Sequence, residues 1–167
     1  MGRGYSLTCR ACTCKEKAYL GVGFAFPKLY EGTKEAIEDG EYGPELKEIF
    51  LDNPDAAFDA EIVLLQCPDC GFIGTEKNLS VYLPKNGYDH EKRERHAWSS
   101  VMPCYDVDYV SPSELSNNYT LFKEFKHHCP ICGREAEVIT EDRMKDSQII
   151  CPQCRNQMIV DNNIMWD

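Results

Sequence analysis

Four cysteine pairs, each with two residues between its members, restrict the fold of this chain more than any other feature. The pairs are Cys9/Cys12, Cys67/Cys70, Cys129/Cys132 and Cys151/Cys154. The last three share a Cys-Pro-x-Cys core, in which the proline fixes one backbone dihedral of a tight turn. The last two pairs are eighteen residues apart, which leaves room for a hairpin between them. Two such pairs present four thiolates with the spacing that a tetrahedral Zn²⁺ ion requires.

The cellular compartment decides whether paired cysteines bind metal or form disulfides. Residues 1–7 contain no apolar stretch of the kind found in signal peptides, and no run of about eighteen apolar residues occurs anywhere in the chain. We therefore expect a cytoplasmic protein without a membrane span. In a reducing cytosol, paired cysteines are metal ligands more often than disulfide partners.

Four pairs make two four-cysteine sites, so two Zn²⁺ ions per chain are expected. Pairing by nearness in sequence places Cys129, Cys132, Cys151 and Cys154 in one site and Cys9, Cys12, Cys67 and Cys70 in the other. We call each Cys-x-x-Cys turn a knuckle. The second site then has 54 residues between its two knuckles. The cost of closing a loop grows only logarithmically with its length, so this gap does not forbid the pairing. A swapped pairing, in which one half of the chain completes the site of the other, is the less favoured alternative.

The predicted fold is a small, metal-stabilised α+β protein with two antiparallel zinc-ribbon modules. Residues 1–84 form the first ribbon, with a helical insertion at about 31–53. Residues 85–97 are a charged linker or exposed loop, and 98–167 form a C-terminal region with the second ribbon at about 126–160. Hydrophobic residues make up only 43% of the chain, which indicates a modest core that relies on metal.

Local patterns predict the individual elements. Strands are expected at 5–8 and 78–83, at 18–26, where apolar and aromatic residues alternate, and at 61–66, which is almost continuously apolar. Residues 98–110 are again apolar and strand-like. Helices are expected from a Thr33 cap to about Gly40, from Pro44 to before Asn53, and after Ser111, where Glu114 completes a capping box. In the second ribbon, 135–140 and 147–150 should form a hairpin, with a third strand at 158–160.

Other uses of the cysteine pairs fit the sequence less well. Cys67-Pro68-Asp69-Cys70 follows a strand, as the active-site motif of thioredoxin-like oxidoreductases does, but the residues after it begin a helix poorly and the motif occurs three times. Four protein ligands leave no open position on a zinc ion, so we expect structural sites and no enzyme activity. Iron in a rubredoxin-type site is the alternative metal.

Two cysteines lie outside these pairs, and two of the four histidines lie next to one of the pairs. Cys14 could replace Cys12 as a ligand, and Cys104 is expected to be a small buried residue. A redox-active role for either thiol is the alternative. His127 and His128 directly precede Cys129 and are expected to be surface residues, although either could substitute as a ligand.

Charge indicates the class of partner. The chain has 28 acidic and 18 basic residues, a formal net charge of −10, so it lacks the broad basic footprint of nucleic-acid-binding proteins. We expect another protein as the partner, with the aromatic segment around 98–109 as a contact region. The alternatives are a nucleic-acid-binding or transcription-associated ribbon and a thiol-based redox or zinc sensor.

The knuckles resemble those of the zinc-ribbon superfamily, which are of the rubredoxin type. The resemblance covers about residues 126–160 through Cys129, Cys132, Cys151 and Cys154, and the N-terminal half through Cys9, Cys12, Cys67 and Cys70. Tyr5-x-Leu7-x-Cys9-x-x-Cys12, followed by Leu20-Gly21-Val22-Gly23, is also similar to small uncharacterised bacterial proteins that carry CpxCG-type ribbons. The long insertion and the absence of proline and glycine around Cys9 depart from the pattern. The resemblance implies metal binding and no defined activity.

Overall fold

The computed structural model of the protein describes residues 2–23, 26–89 and 109–164, which form ten strands and four helices. In chain order these are β1 (Arg3–Cys9), β2 (Lys15–Leu20), α1 (Phe26–Asp39), α2 (Pro44–Asp52), β3 (Ala57–Phe58), β4 (Ile62–Gln66), β5 (Ile73–Lys77), β6 (Val81–Pro84), α3 (Pro112–Asn118), β7 (Tyr119–Lys123), β8 (His127–His128), β9 (Glu135–Ile139), α4 (Glu141–Lys145) and β10 (Met158–Ile164). The strands form three sheets, with the orders β10-β1-β2, β3-β6-β7 and β5-β4-β9-β8. All strand pairs in the described part of the chain are antiparallel, so the α+β class with antiparallel sheets is confirmed.

The chain divides into two compact units, each assembled from separated segments. The ribbon unit contains Met1–Gly23, Glu61–Asn78 and Lys126–Asp167, and the helical unit contains Phe24–Ala60 and Leu79–Phe125. The sequence predicted boundaries in chain order, near residues 84 and 98, whereas the chain leaves the ribbon unit twice and returns to it twice. Much of the predicted linker, and the segment 98–108 with Cys104, lie outside the described residues.

In the ribbon unit, β1 lies at the centre of the first sheet. Tyr5, Leu7 and Cys9 alternate along β1 and are buried, as expected for a strand with one face on a core. β10 continues to Ile164, beyond the predicted strand at 158–160, and pairs with β1 so that Met158 lies opposite Cys9. Among the described residues, β10 near one end of the chain therefore pairs with β1 near the other end to complete this sheet.

The second sheet of the ribbon unit is built around β4. β9 pairs with β4, with Ile139 opposite Leu64 and Glu137 opposite Gln66. The predicted hairpin between 135–140 and 147–150 is wrong. Thr140 directly follows β9 and caps α4, since its hydroxyl accepts a hydrogen bond from the backbone N–H of Arg143 at 3.4 Å. β5, which pairs with the other edge of β4, was not predicted.

The predicted strand at 18–26 is too long. β2 ends at Leu20 because Gly21 takes a φ of 84°, which extended strands do not contain. Gly21 instead exchanges two backbone hydrogen bonds with Ile62, at 2.9 and 3.2 Å. α1 starts earlier than predicted, at Phe26, so Thr33 lies inside the helix and donates its hydroxyl to the carbonyl of Leu29 at 2.5 Å.

The helical unit has an aromatic core. Tyr30 of α1 stacks on Phe58 at a ring separation of 4.2 Å, and Phe50 of α2 and Tyr109 pack edge-on against this pair. The predictions for α2, which begins at Pro44, and for the capping box of α3 are confirmed. None of the helices in the described ranges is long and apolar enough to span a membrane.

Candidate metal centres

The structure brings eight cysteines together in two groups. The outer site consists of Cys9, Cys12, Cys151 and Cys154, and the inner site consists of Cys67, Cys70, Cys129 and Cys132. Within each group all Sγ atoms lie within 4.8 Å of one another. Both groups belong to the ribbon unit, and the knuckles of the inner site lie between those of the outer site in sequence.

The predicted pairing by nearness in sequence is therefore wrong, and the swapped arrangement is the one that forms. Strand register determines the pairing. The β1–β10 pair places Cys9 opposite Met158, which brings the knuckle at 151–154 to the knuckle at 9–12. The β4–β9 pair aligns the strands that flank Cys67 and Cys129 in the same way. Neither register can be read from the spacing of the cysteines alone.

The backbone of each Cys-Pro-x-Cys knuckle is closed by two hydrogen bonds. The N–H of the first cysteine donates to the carbonyl five residues later, at 2.7–2.9 Å, and the N–H four residues later donates back to the cysteine carbonyl, at 2.8–3.0 Å. The knuckle at Cys9 shares the first of these bonds, from Cys9 N–H to the carbonyl of Cys14 at 3.0 Å. In the other three knuckles the residue after the second cysteine has a positive φ: 82° at Gly71, 73° at Gly133 and 62° at Arg155. These turns direct both thiols of a pair to the same side.

The distances between sulfur atoms suit a tetrahedral metal ion. In the outer site Cys9 Sγ lies 3.5 Å from Cys154 Sγ, and Cys12 Sγ lies 3.6 Å from Cys151 Sγ. In the inner site the Cys67–Cys132 and Cys70–Cys129 distances are both 3.5 Å. A tetrahedron with metal–sulfur bonds of about 2.3 Å has sulfur–sulfur edges of about 3.8 Å. Each group could therefore hold one metal ion with four thiolate ligands.

Hydrogen bonds stabilise some of these thiols as thiolates. The side-chain amide of Asn156 donates to Cys154 Sγ at 3.4 Å and, together with the backbone N–H of the same residue, lowers the pKa of Cys154 to about 6. In the inner site the backbone N–H of Cys70 lowers the pKa of Cys67 to about 7. Thiolates are the form that binds metal, so both sites contain a cysteine prepared for ligation.

The crowding of thiols has the opposite effect on other members of each group. The backbone N–H of Cys14 favours the Cys12 thiolate, but burial and the three neighbouring thiols raise the pKa of Cys12 to about 12. Cys132 follows the same pattern: the N–H of Arg134 lowers its pKa, and burial with the neighbouring thiols raises it to about 12. Four thiolates this close repel one another, and a divalent cation among them removes that repulsion.

The residues outside the pairs have other places in the structure. Cys14 is buried and lies outside the outer group of ligands, and burial raises the pKa of its thiol to about 11, which disfavours a reactive thiolate. His127 was expected at the surface but is 2% exposed, and its Nδ1 lies 3.1 Å from a carboxylate oxygen of Glu76. His128 is exposed.

Sequence reasoning missed the contacts that join the two sites. The amide of Gln66 is hydrogen-bonded to both backbone groups of Ile150, and the guanidinium of Arg155 donates to the carbonyl of Pro68 at 3.0 Å. Gln66 directly precedes Cys67, and Ile150 directly precedes Cys151. A polar residue at the end of the apolar strand 61–66 was the available signal, because a buried glutamine needs hydrogen-bond partners.

Gly71 and Gly133 give a matched pair of substitutions that tests this contact. Alanine at a positive φ costs about 1–2 kcal/mol at either position. A Cβ at Gly133 would have no heavy atom within 4 Å, whereas a Cβ at Gly71 would collide with the guanidinium of Arg155. Arg155 would then have to leave Pro68, which costs about 0.5–1.5 kcal/mol more. We expect Gly71→Ala to lower the free energy of unfolding further than Gly133→Ala, as measured by urea denaturation of metal-loaded protein.

The control for this pair is the same comparison made in an Arg155→Ala background. There the guanidinium is absent, so the two alanine substitutions should destabilise the protein to a similar extent. Equal losses in the wild-type background would contradict the assigned contact between the two knuckles.

Comparison of the chain with protein-family models, with curated proteins and with solved structures found no match. The geometry of the cysteines is thus the basis on which function can be argued. The two groups could bind metal and are consistent with zinc-ribbon-like knuckles.

Proposed function

We propose that this chain is a zinc-binding protein with two structural four-cysteine sites and no catalytic role. The observation that carries the proposal is the convergence of four Sγ atoms within 4.8 Å in both groups. Zinc and iron both accept tetrahedral sulfur ligands, and zinc is favoured because nothing in the described residues suggests electron transfer. A zinc ion in such a site would crosslink two knuckles, and four protein ligands would leave no position for substrate or water.

Metal analysis of protein purified without added zinc tests this proposal. We expect two zinc ions per chain, bound tightly enough to survive gel filtration. Protein that retains its fold without any metal would contradict the structural-zinc proposal. A stoichiometric iron content would show that the structural metal is iron and not zinc.

The proposed role of this metal-stabilised frame is to bind another protein. Leu121 and Phe122 on β7 are 52% and 53% exposed, and β7 is at one end of the strand order in its sheet. Exposed apolar side chains on a strand at the end of the described sheet favour contact with a partner. Residues 24–60 contain ten acidic and three basic residues, so they account for −7 of the net charge and favour a partner with a basic surface.

A capture experiment from the native host tests this role. Wild-type protein is expected to retain a partner that Leu121→Glu/Phe122→Glu loses. Leu51→Glu is the matched control, because Leu51 is 67% exposed on α2 and lies in a different element. Equal capture by all three proteins would argue against β7 as the contact surface.

A second candidate is binding to nucleic acid, and one observation favours it. Lys15, Lys17 and Tyr19 are exposed at alternate positions of β2, and alternate residues of a strand share one face. Basic and aromatic side chains together suit a single strand of nucleic acid. Fluorescence anisotropy with a single-stranded oligonucleotide at low and moderate salt tests this candidate, and no binding at low salt would eliminate it.

A further inference from the structure

The buried amide of Gln66 links the two cysteine sites directly. Gln66 ends β4, is 6% exposed and directly precedes the inner-site ligand Cys67. Its Nε2 donates to the carbonyl of Ile150 at 2.7 Å, and its Oε1 accepts from the N–H of Ile150 at 3.2 Å. Ile150 directly precedes the outer-site ligand Cys151. One side chain therefore fixes the entry points of two knuckles that belong to different sites.

A second contact joins the same two knuckles. Arg155, which follows the outer-site ligand Cys154, donates to the carbonyl of Pro68 inside the inner-site knuckle. Gly71 permits this approach, since a Cβ there would meet the guanidinium and lie 3.4 Å from Cα of Pro152. The knuckles at 67–71 and 151–155 are in contact on both sides of their cysteines.

We propose that Gln66 is a positioning residue that makes metal binding at the two sites cooperative. This inference rests on the proposed zinc-binding function. A metal ion in the inner site orders the knuckle at 67–70 and with it the Gln66 amide, which then holds Ile150 and the outer-site knuckle in place. The outer metal ion orders the same contact from the other side. By thermodynamic linkage, each metal raises the affinity of the other by the same factor.

Chain topology alone explains only a small part of this coupling. The outer site joins residues that are up to 145 positions apart, and Cys12 and Cys151 are 139 apart. Closing the inner site first roughly halves the free chain that the outer site must close, which changes the affinity less than about threefold. Two buried hydrogen bonds change it on the order of tenfold to thirtyfold. The Gln66 bonds therefore contribute more to the coupling than loop closure does.

The test compares the affinity of zinc for the intact protein with its affinity for two single-site variants. Cys12→Ser/Cys151→Ser leaves the inner site, and Cys67→Ser/Cys132→Ser leaves the outer site. Competition with a chelator of known affinity gives each binding constant. In wild-type protein, the overall constant for two zinc ions should exceed the product of the two single-site constants by tenfold or more.

The same cycle is repeated with Gln66→Met, which removes both hydrogen bonds but keeps the side-chain size, and with Leu64→Met as control. Leu64 lies on the same face of β4, is 1% exposed and makes no such bond to Ile150 among the described contacts. The excess of the two-zinc constant over the product of the single-site constants should fall about tenfold or more in Gln66→Met and stay near the wild-type value in Leu64→Met. An equal excess in all three proteins, or none in the wild type, would overturn the proposal.

A kinetic measurement covers the case in which a single-site variant does not fold. Zinc release from intact wild-type protein into excess chelator should occur in one phase, and release from Gln66→Met in two. Two independent phases in the wild type would refute the coupling while leaving zinc binding intact. Protein that binds no zinc at all would refute the proposed function itself.

Discussion

Chelation of the metal is expected to unfold the ribbon unit and to leave part of the helical unit protected. Binding of zinc to a structural site is worth about 10–16 kcal/mol at neutral pH, which equals or exceeds the usual 5–15 kcal/mol stability of a whole domain. Both sites lie in the ribbon unit, whereas the helical unit has its own core of Tyr30, Phe50, Phe58 and Tyr109. Hydrogen exchange with mass spectrometry measures the protection of the ribbon unit and of the helical unit separately.

Peptides from 2–23, 61–78 and 126–164 should lose their protection in excess chelator, while peptides from α1 and α2 should keep a measurable part of theirs. Addition of zinc should restore the protection, which is the control against irreversible damage. Full protection of the ribbon unit in metal-free protein would show that its apolar core suffices without metal. Pairing by nearness in sequence would have placed one site in each half of the chain and predicted loss in both.

Two double substitutions should give opposite metal contents. Cys12→Ser/Cys151→Ser removes two ligands from the outer site, so we expect one zinc ion per chain to remain in the inner site. Cys12→Ser/Cys70→Ser removes one ligand from each site, so both ions should be weakened and lost on dialysis against a mild chelator. Metal analysis by mass spectrometry gives the two stoichiometries.

The two variants serve as controls for each other, because each replaces two cysteines by serine. Pairing in chain order would assign Cys12 and Cys70 to the same site and would reverse the expected contents. One retained zinc ion in Cys12→Ser/Cys70→Ser, together with none in Cys12→Ser/Cys151→Ser, would therefore contradict the nested arrangement of the sites.

Local signals in the sequence were sufficient for some elements and for the knuckles. Pro44 begins α2, and Ser111 with Glu114 forms the capping box of α3, because both depend on neighbours within four residues. The proline and glycine of the knuckles likewise specify their turns locally. The prediction that Thr33 caps α1 is wrong, because the hydroxyl of Thr33 donates to the carbonyl of Leu29 within the helix.

The pairing of the sites could not be predicted, because it depends on contacts between distant strands. β1 and β10 contain partners such as Cys9 and Met158, and nothing in the local sequence of either strand identifies the other. β9 pairs with β4 and not with residues 147–150, as the predicted hairpin required. Thr140 caps α4, so the chain after β9 forms a helix and not a hairpin turn. Register, which specifies the ligand groups, is thus a property of the whole ribbon unit.

The paired Gly21 and Ile62 have a consequence for how such a chain can vary. Because these two residues exchange backbone hydrogen bonds, the 40 residues between them leave and rejoin the ribbon unit at adjacent points. A segment with adjacent ends can be lengthened, shortened or replaced without moving the strands that carry the cysteines. Residues 24–60 share their core with residues 79–125, because Tyr30 packs on Tyr109 and β3 pairs with β6. A chain with the same two centres and a different surface would therefore exchange both segments of the helical unit together.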